Sequence, residues 1–303
     1  DKASDIVDAL VKAAKRGGAE IIQGTAKKIL TENGAVSGVL VENGEALPAD
    51  SVILATGGMS YPLTGSTGDG YKIARALGHT ITEIKPSLVA LNAHEGFCER
   101  LAGLSLKNVA LSVFEESRKK PVFSELGEIL FTHFGISGPL VLSASAHMRY
   151  IGKKQYTAAI DLKPGLTPEQ LDKRILRDFD EEKNRDFINS LNKLLPKSLI
   201  PIVVRLSCIE PDRKVNSISR EQRAALCRVL KEFTLHITGT RPIDEAIITR
   251  GGISVKEIDP KTMGSRLISG LYFAGEIIDV DAYTGGFNLQ IAFSTGFAAG
   301  SNV

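Results

Sequence analysis

Two apolar runs, one near each end of this sequence, both stop on glycine. Ser51-Val52-Ile53-Leu54-Ala55 leads into Thr56-Gly57-Gly58, and the strand-like Gly270-Leu271-Tyr272-Phe273-Ala274 leads into Gly275-Glu276. A continuous apolar run with glycines at its carboxyl end reads as a buried central strand entering a tight loop. In open α/β sheets, ligands collect just beyond those carboxyl ends. The first and last thirds of the chain share this α/β grammar, while the middle is a mixed block of strands and then helices. The simplest plan is one α/β domain from residues 1–85 and 247–303, interrupted by an inserted domain over 86–246. A length of 303 residues agrees with about two domains.

Local signals fill in this frame. Ile6, Val7, Leu10, Val11 and Ala14 recur at helical spacing before Gly17-Gly18, so an amphipathic helix spans 4–16. Strand character follows at 20–23, 26–30 and 36–41, with Asn33-Gly34 as a hairpin turn between the last two. The glycine-rich loop Gly65–Gly70 precedes a helix over 71–77. Residues 88–160 read as short strands and turns. Thr167-Pro168-Glu169-Gln170 and Ser219-Arg220-Glu221-Gln222 are capping boxes that open two helices, the second with a stripe of Leu226, Leu230 and Phe233.

Composition excludes several classes. Lys plus Arg total 37 against 35 Asp plus Glu, a net charge of +2 with no electrostatic footprint for nucleic acid or an anionic membrane. Cys98, Cys208 and Cys227 lie far apart with no CxxC, which argues against a disulfide scaffold and fits a reducing cytoplasm. No apolar run approaches the roughly 20 residues that cross a bilayer. The five histidines show no metal-ligand spacing, and both the phosphate-binding P-loop and the GxSxG elbow are missing.

The strongest local signal is Thr284-Gly285-Gly286-Phe287-Asn288-Leu289-Gln290, followed by an apolar helix. Glycine lets the backbone approach a ligand closely. The amides of Phe287, Asn288 and Leu289 are the orphan donors of a helix N-terminus and carry its positive dipole end. This suits an anion, or a group that becomes anionic during a reaction.

Four segments carry a resemblance: Ala55–Pro62, Thr64–Tyr71, Gly127–Pro139, and Gly270–Asp279 continuing through Gly285–Gln290. In this order they resemble the BaiN-type family of bacterial NAD(P)/FAD-dependent oxidoreductases, which are similar in their FAD domain to glutathione reductase-like enzymes. The resemblance implies a Rossmann-like α/β FAD-binding domain with an inserted mixed β/α domain, FAD as cofactor and NAD(P)H as electron donor. It places the adenine near Ala26, and the adenosine and pyrophosphate beside Thr56 and Gly57. Gly275 and Glu276 fall near the ribityl chain with Asp279 close by, and Gly286, Asn288, Leu289 and Gln290 face the flavin ring at N1 and C2=O. There a helix N-terminus stabilises negative charge without reorganisation.

One departure stands out: the sequence has no GxGxxG, the family's pyrophosphate cradle, and it opens Asp1-Lys2-Ala3-Ser4 without Met. The expectation is a chain entered where the family's FAD half-domain resumes, incomplete at its N-terminus. Within the inserted domain, Thr132-His133-Phe134-Gly135 is the expected contribution to a substrate pocket. His133 is either a proton donor beside the flavin or a hydrogen-bonded core residue. Arg250 is either a contact for an anionic substrate or a surface residue at the domain junction. Two functions remain in view. One is an oxidoreductase passing hydride to an organic small molecule, with an enone among the conceivable acceptors; the other is a flavin-free binding domain that keeps the fold and not the cofactor.

Overall fold

The computed structural model describes residues 3–303; Asp1 and Lys2, the first two positions of the expected domain, lie outside the described residues. The chain opens with helix α1 (Ala3–Arg16) and a three-stranded antiparallel meander, β1 (Ala26–Glu32), β2 (Ala35–Val41) and β3 (Ala46–Pro48). Asn33 and Gly34 both take positive φ, 51° and 79°, the geometry of a two-residue hairpin turn. Next come strand β4 (Val52–Leu54) and helix α2 (Asp69–Ala76), and then β5 (Lys85–Ser87).

The middle of the chain is a barrel with a helical cover. Strands β6 (Leu91–Ala93), β7 (Ser105–Glu115), β8 (Phe123–Thr132), β9 (Gly135–Ser137) and β10 (Tyr156–Asp161) close with β11 (Phe233–Thr240), in the order β10-β11-β6-β9-β8-β7. Short helix α3 (Phe97–Arg100) and helix α4 (Pro139–His147) sit among the strands. Helices α5 (Pro168–Glu181), α6 (Phe187–Ser190), α7 (Ile200–Ser207) and α8 (Arg220–Lys231) lie between β10 and β11 in sequence. Strand alternation puts Leu111, Val113, Ala158, Ile160 and Leu235 into one core with Phe131 and Leu230. Both capping boxes form: Thr167 with Gln170 opens α5, and Ser219 with Gln222 opens α8.

The chain then returns through β12 (Ile248–Arg250) and β13 (Leu271–Phe273) to the terminal helix α9 (Phe287–Gly300). Strands β5 and β12 pair antiparallel, Ser87 opposite Ile248 and Lys85 opposite Arg250, so the outward and return crossings between the halves form one ribbon. Strands β4 and β13 pair parallel, Val52 opposite Leu271 and Leu54 opposite Phe273. These two strands, from opposite ends of the chain, form the α/β element that the two apolar runs predict.

Three expectations need correction. Residues 20–23 form no strand: Ile21 and Ile22 are exposed, and no strand among the described residues pairs with them. The run at 51–55 is not sealed on both faces. With β13 as the single strand beside β4 among the described residues, Ile53 keeps 37% of its surface exposed. Phe233 is not on the helix stripe but begins β11, because the chain leaves helical geometry at Glu232 (φ −144°) and enters the barrel there.

Candidate cofactor and substrate site

Parallel pairing brings Thr56-Gly57-Gly58 and Gly275-Glu276 off the same edge of the β4/β13 pair. Gly57 and Gly275 take φ of 71° and 75°, the left-handed region where a side chain is strained. At Gly58, a Cβ would collide with Thr249 Oγ1 and Glu276 Oε1. Both of those atoms belong to one polar knot. Thr249, 1% exposed on β12, accepts from the Met59 N–H at 2.7 Å and the Ser60 N–H at 3.1 Å through its Oγ1. Its own N–H donates to Glu276 Oε1 at 2.6 Å. The glycine loop, the ribbon and the β13 loop are thereby tied together through a single threonine. Glu276 is thus partly committed to the scaffold, and its carbonyl accepts from the Tyr71 hydroxyl at 3.4 Å. Burial, with the nearby Glu276 and Asp279 carboxylates, pushes the Tyr71 phenol up and keeps it protonated. Thr56 lies under α2, where a Cβ on Gly70 would strike its hydroxyl.

Gly285 and Gly286 take φ of 107° and 91°, and α9 begins immediately after them with no side-chain cap. No group among the described residues accepts from the Phe287, Asn288 or Leu289 amides, while Gln290 N–H bonds Gly286 O at 2.9 Å. The Asn288 side chain turns back on the preceding loop. Its Oδ1 accepts from Ala282 N–H and its Nδ2 donates to Ala282 O, both at 2.9 Å. What Asn288 offers outward is therefore its main-chain N–H. Gln290 donates through Nε2 to Ser294 at 3.0 Å, and Leu289 is exposed. Gly275 N–H donates to Thr295 Oγ1 at 2.9 Å, which ties the third turn of α9 to the β13 loop.

Two cavities meet at Tyr283. One, of about 340 Å³, is bounded by Leu88, Ile248, Glu276, Gly285, Gly286 and Asn288. The other, of about 370 Å³, is bounded by His147 and Arg149 from the end of α4, Arg250 of β12, and Asp281 and Phe287. Tyr283 lines both. Arg149 and Arg250 form no ion pair among the described residues, while Asp281 accepts from Ser87 at 2.9 Å. A third cleft of about 310 Å³ continues from the two arginines past Lys85, Lys153 and Asp279. Asp279 holds its place by donating its N–H to Ile253 O at 3.0 Å.

His147 and the Tyr283 hydroxyl hydrogen-bond across the two halves. Their rings are 5.5 Å apart, and Phe123 packs on the imidazole at 5.4 Å. Burial lowers the His147 pKa below that of a free histidine. His133 sits elsewhere, exposed on the β8–β9 turn with its ring against Phe134 at 4.9 Å, and lines neither cavity. Ala26 opens β1 opposite Val41 at an exposed edge. Sequence reasoning missed Thr249, His147 and Tyr283. Thr249 carried a weak signal, a hydroxyl beside Gly251-Gly252, whereas the other two carried none because their partnership spans 136 residues.

A parallel pair whose carboxyl ends feed glycine loops and an uncapped helix start defines a Rossmann-type cofactor-binding protein. The chain belongs to the HI0933-like family: the model of the HI0933-like protein Rossmann domain matches residues 1–302. It is 31% identical over 303 residues to the 3-dehydro-bile acid delta(4,6)-reductase of Clostridium scindens, covering 99% of this chain and 73% of that protein. It is 30% identical to the ribosomal RNA dihydrouridine synthase of Escherichia coli, covering 100% of this chain and 72% of that one. The corresponding Haemophilus influenzae synthase is also 30% identical, at 99% and 73% coverage. Among solved structures, GidA of Aquifex aeolicus aligns with a TM-score of 0.36 and 14% identity over 97% of this chain; the chain spans about half of that structure, 48%. The family match and the 31% identical reductase bear out the BaiN-type resemblance and place the chain among flavin-dependent oxidoreductases. No helix among the described residues is long and apolar enough to cross a membrane.

Proposed function

We propose that this protein uses FAD to pass a hydride from NAD(P)H to an organic acceptor whose C=C bond is conjugated to a carbonyl. The acceptor sits where the cofactor half meets the inserted barrel. The observation that carries the reading is the open row of amides at Phe287, Asn288 and Leu289 behind two left-handed glycines. It fits a flavin edge that gains negative charge on reduction. Gly286, Asn288, Leu289 and Gln290 hold the ring edge, Gly275, Glu276 and Asp279 border the ribityl chain, and Thr56, Gly57 and Ala26 border the adenosine end. Bound FAD would supply reversible storage of a two-electron hydride equivalent. The protein's part is to orient the acceptor, exclude water and place cations.

Support for the acceptor class comes from the relatives' names. A delta(4,6)-reductase of a dehydro-bile acid and a dihydrouridine synthase act on molecules of very different size, yet each name implies saturation of a C=C bond conjugated to a carbonyl. Arg250, with Arg149 beside it, suits a carboxylate or phosphate on the acceptor. A small molecule fits the near-balanced charge, and uridine in RNA is the second reading, favoured by two relatives at 30% identity. Three free cysteines fit a cytoplasmic setting. His133, outside both cavities, takes no part in this reading.

The test is spectroscopic. Purified protein given FAD is expected to turn yellow, to bleach anaerobically with NADPH or NADH, and to regain colour with 2-cyclohexenone. A colourless protein that ignores FAD sinks the proposal and leaves the binding-domain alternative. Bleached flavin that reoxidises with uridine-containing RNA and not with the enone shifts the acceptor to nucleic acid.

A further inference from the structure

Hydride addition alone does not finish such a reduction. When the β-carbon of a conjugated carbonyl accepts a hydride, its two electrons form the new C–H bond and the π pair moves onto the α-carbon and carbonyl oxygen as an enolate. A proton must then reach the α-carbon. The second cavity has two arginines and an aspartate at its wall, and one hydroxyl-bearing residue that also lines the cofactor cavity, Tyr283.

We propose that Tyr283 is the proton donor to the acceptor and that His147, hydrogen-bonded to it across the domain interface, refills it. This rests on the reading of the site given above. The Tyr283 O–H bond breaks as the α-carbon C–H bond forms, and the protonated His147 ring passes its proton to the tyrosine oxygen, so no free phenolate accumulates. His147 then takes a proton from water at its half-exposed position. The hydride comes from NAD(P)H by way of the flavin, and the sum is one hydride and one proton added across one C=C bond. Tyr283 is the catalytic residue here, and His147 is a positioning and proton-supplying residue.

The geometry favours this pair over the other titratable groups. Tyr283 lies four residues before Phe287, on the same short loop that the Asn288 side chain clamps at Ala282 and Tyr283. Tyr283 lines the cofactor cavity together with Asn288 and Leu289. His147 ends α4, braced by Phe123. The charged groups around the imidazole are Glu125 of β8, Arg149 just past α4, Asp281 on the clamped loop and Arg250 across the cavity. Burial and Arg149 disfavour its cation, while Glu125 and Asp281 favour it. The net direction is a lowered pKa, so the reserve proton is present on the acid side and is lost as pH rises through that pKa.

The experiment separates the two halves of the reaction. In wild-type protein loaded with FAD, anaerobic bleaching by NADPH or NADH tests the cofactor reading, and reoxidation by 2-cyclohexenone tests proton donation. Tyr283→Phe is expected to slow reoxidation about 10²- to 10⁴-fold relative to its own rate of bleaching. His147→Gln is expected to flatten the fall of the reoxidation rate with rising pH that the wild type shows. Independently of cofactor or turnover, ¹⁵N-histidine NMR of the protein without acceptor should show His147 titrating below a free histidine and moving in Tyr283→Phe. Reoxidation by Tyr283→Phe at the wild-type ratio overturns the proposal, as does an unchanged pH profile in His147→Gln. Wild-type flavin that neither NADPH nor NADH can bleach fails the cofactor reading itself, and the proposal falls with it.

Discussion

The inserted barrel and the cofactor half bury their apolar surface by different means. In the barrel, six strands close on themselves and α5, α7 and α8 cover the remainder, so Phe131, Phe233 and Leu226 are wholly interior. Closure leaves no unpaired strand edge there. In the cofactor half, the parallel pair β4/β13 has no further strand beside it among the described residues. Helices α1 and α9 leave Leu10 at 52% and Phe297 at 78% exposure. Its small core gathers around Ile73, Phe273 and Ile277, and its loops are held by polar ties at Thr249 and Asn288. The barrel is thus a packed platform, while the cofactor loops are positioned by the hydrogen bonds of a few polar side chains.

This contrast can be broken by substitution. Phe131→Ala, which opens a cavity in the sealed core, should cost about 3–5 kcal/mol in chemical denaturation. A loss under 1 kcal/mol would mean that the barrel is not the stable platform. Thr249→Val keeps the shape but orphans the half-buried Met59 amide and the buried Ser60 amide, at a cost of about 1–3 kcal/mol. It should also weaken FAD binding in a flavin titration, because the Gly57–Gly58 loop loses its anchor. Unchanged affinity with lowered stability would detach that knot from the site. Leu10→Ala should change stability by no more than about 0.5 kcal/mol, as for other exposed positions. A loss of 2 kcal/mol or more would show that α1 is covered in solution and that the two halves are more alike than their exposures suggest.

Legibility followed the range over which each signal acts. The Asn33-Gly34 turn, the two capping boxes and the helix after Gly286 are fixed by neighbours within a few residues, and all four formed as read. Residues 20–23 have strand composition, but a strand needs a partner and no strand among the described residues stands beside them, so composition misled. His133 drew attention because of its aromatic neighbours, yet it lies on an exposed turn, while His147, unremarkable in sequence, reaches the interface.

What the sequence determined by itself is the cofactor-ready end of the molecule. Left-handed glycines and the amides they uncover are properties of a few consecutive residues, and Gly285-Gly286-Phe287 carries them wherever it lies. Tertiary structure alone decided what faces that end. A buried hydroxyl shared by three segments at Thr249, two arginines lining one cavity and a tyrosine paired with a histidine all depend on the β5/β12 ribbon laying the barrel against the loops. The hydrogen bonds and charges of that wall join residues far apart in sequence, and only the closed fold brings them within reach of one another.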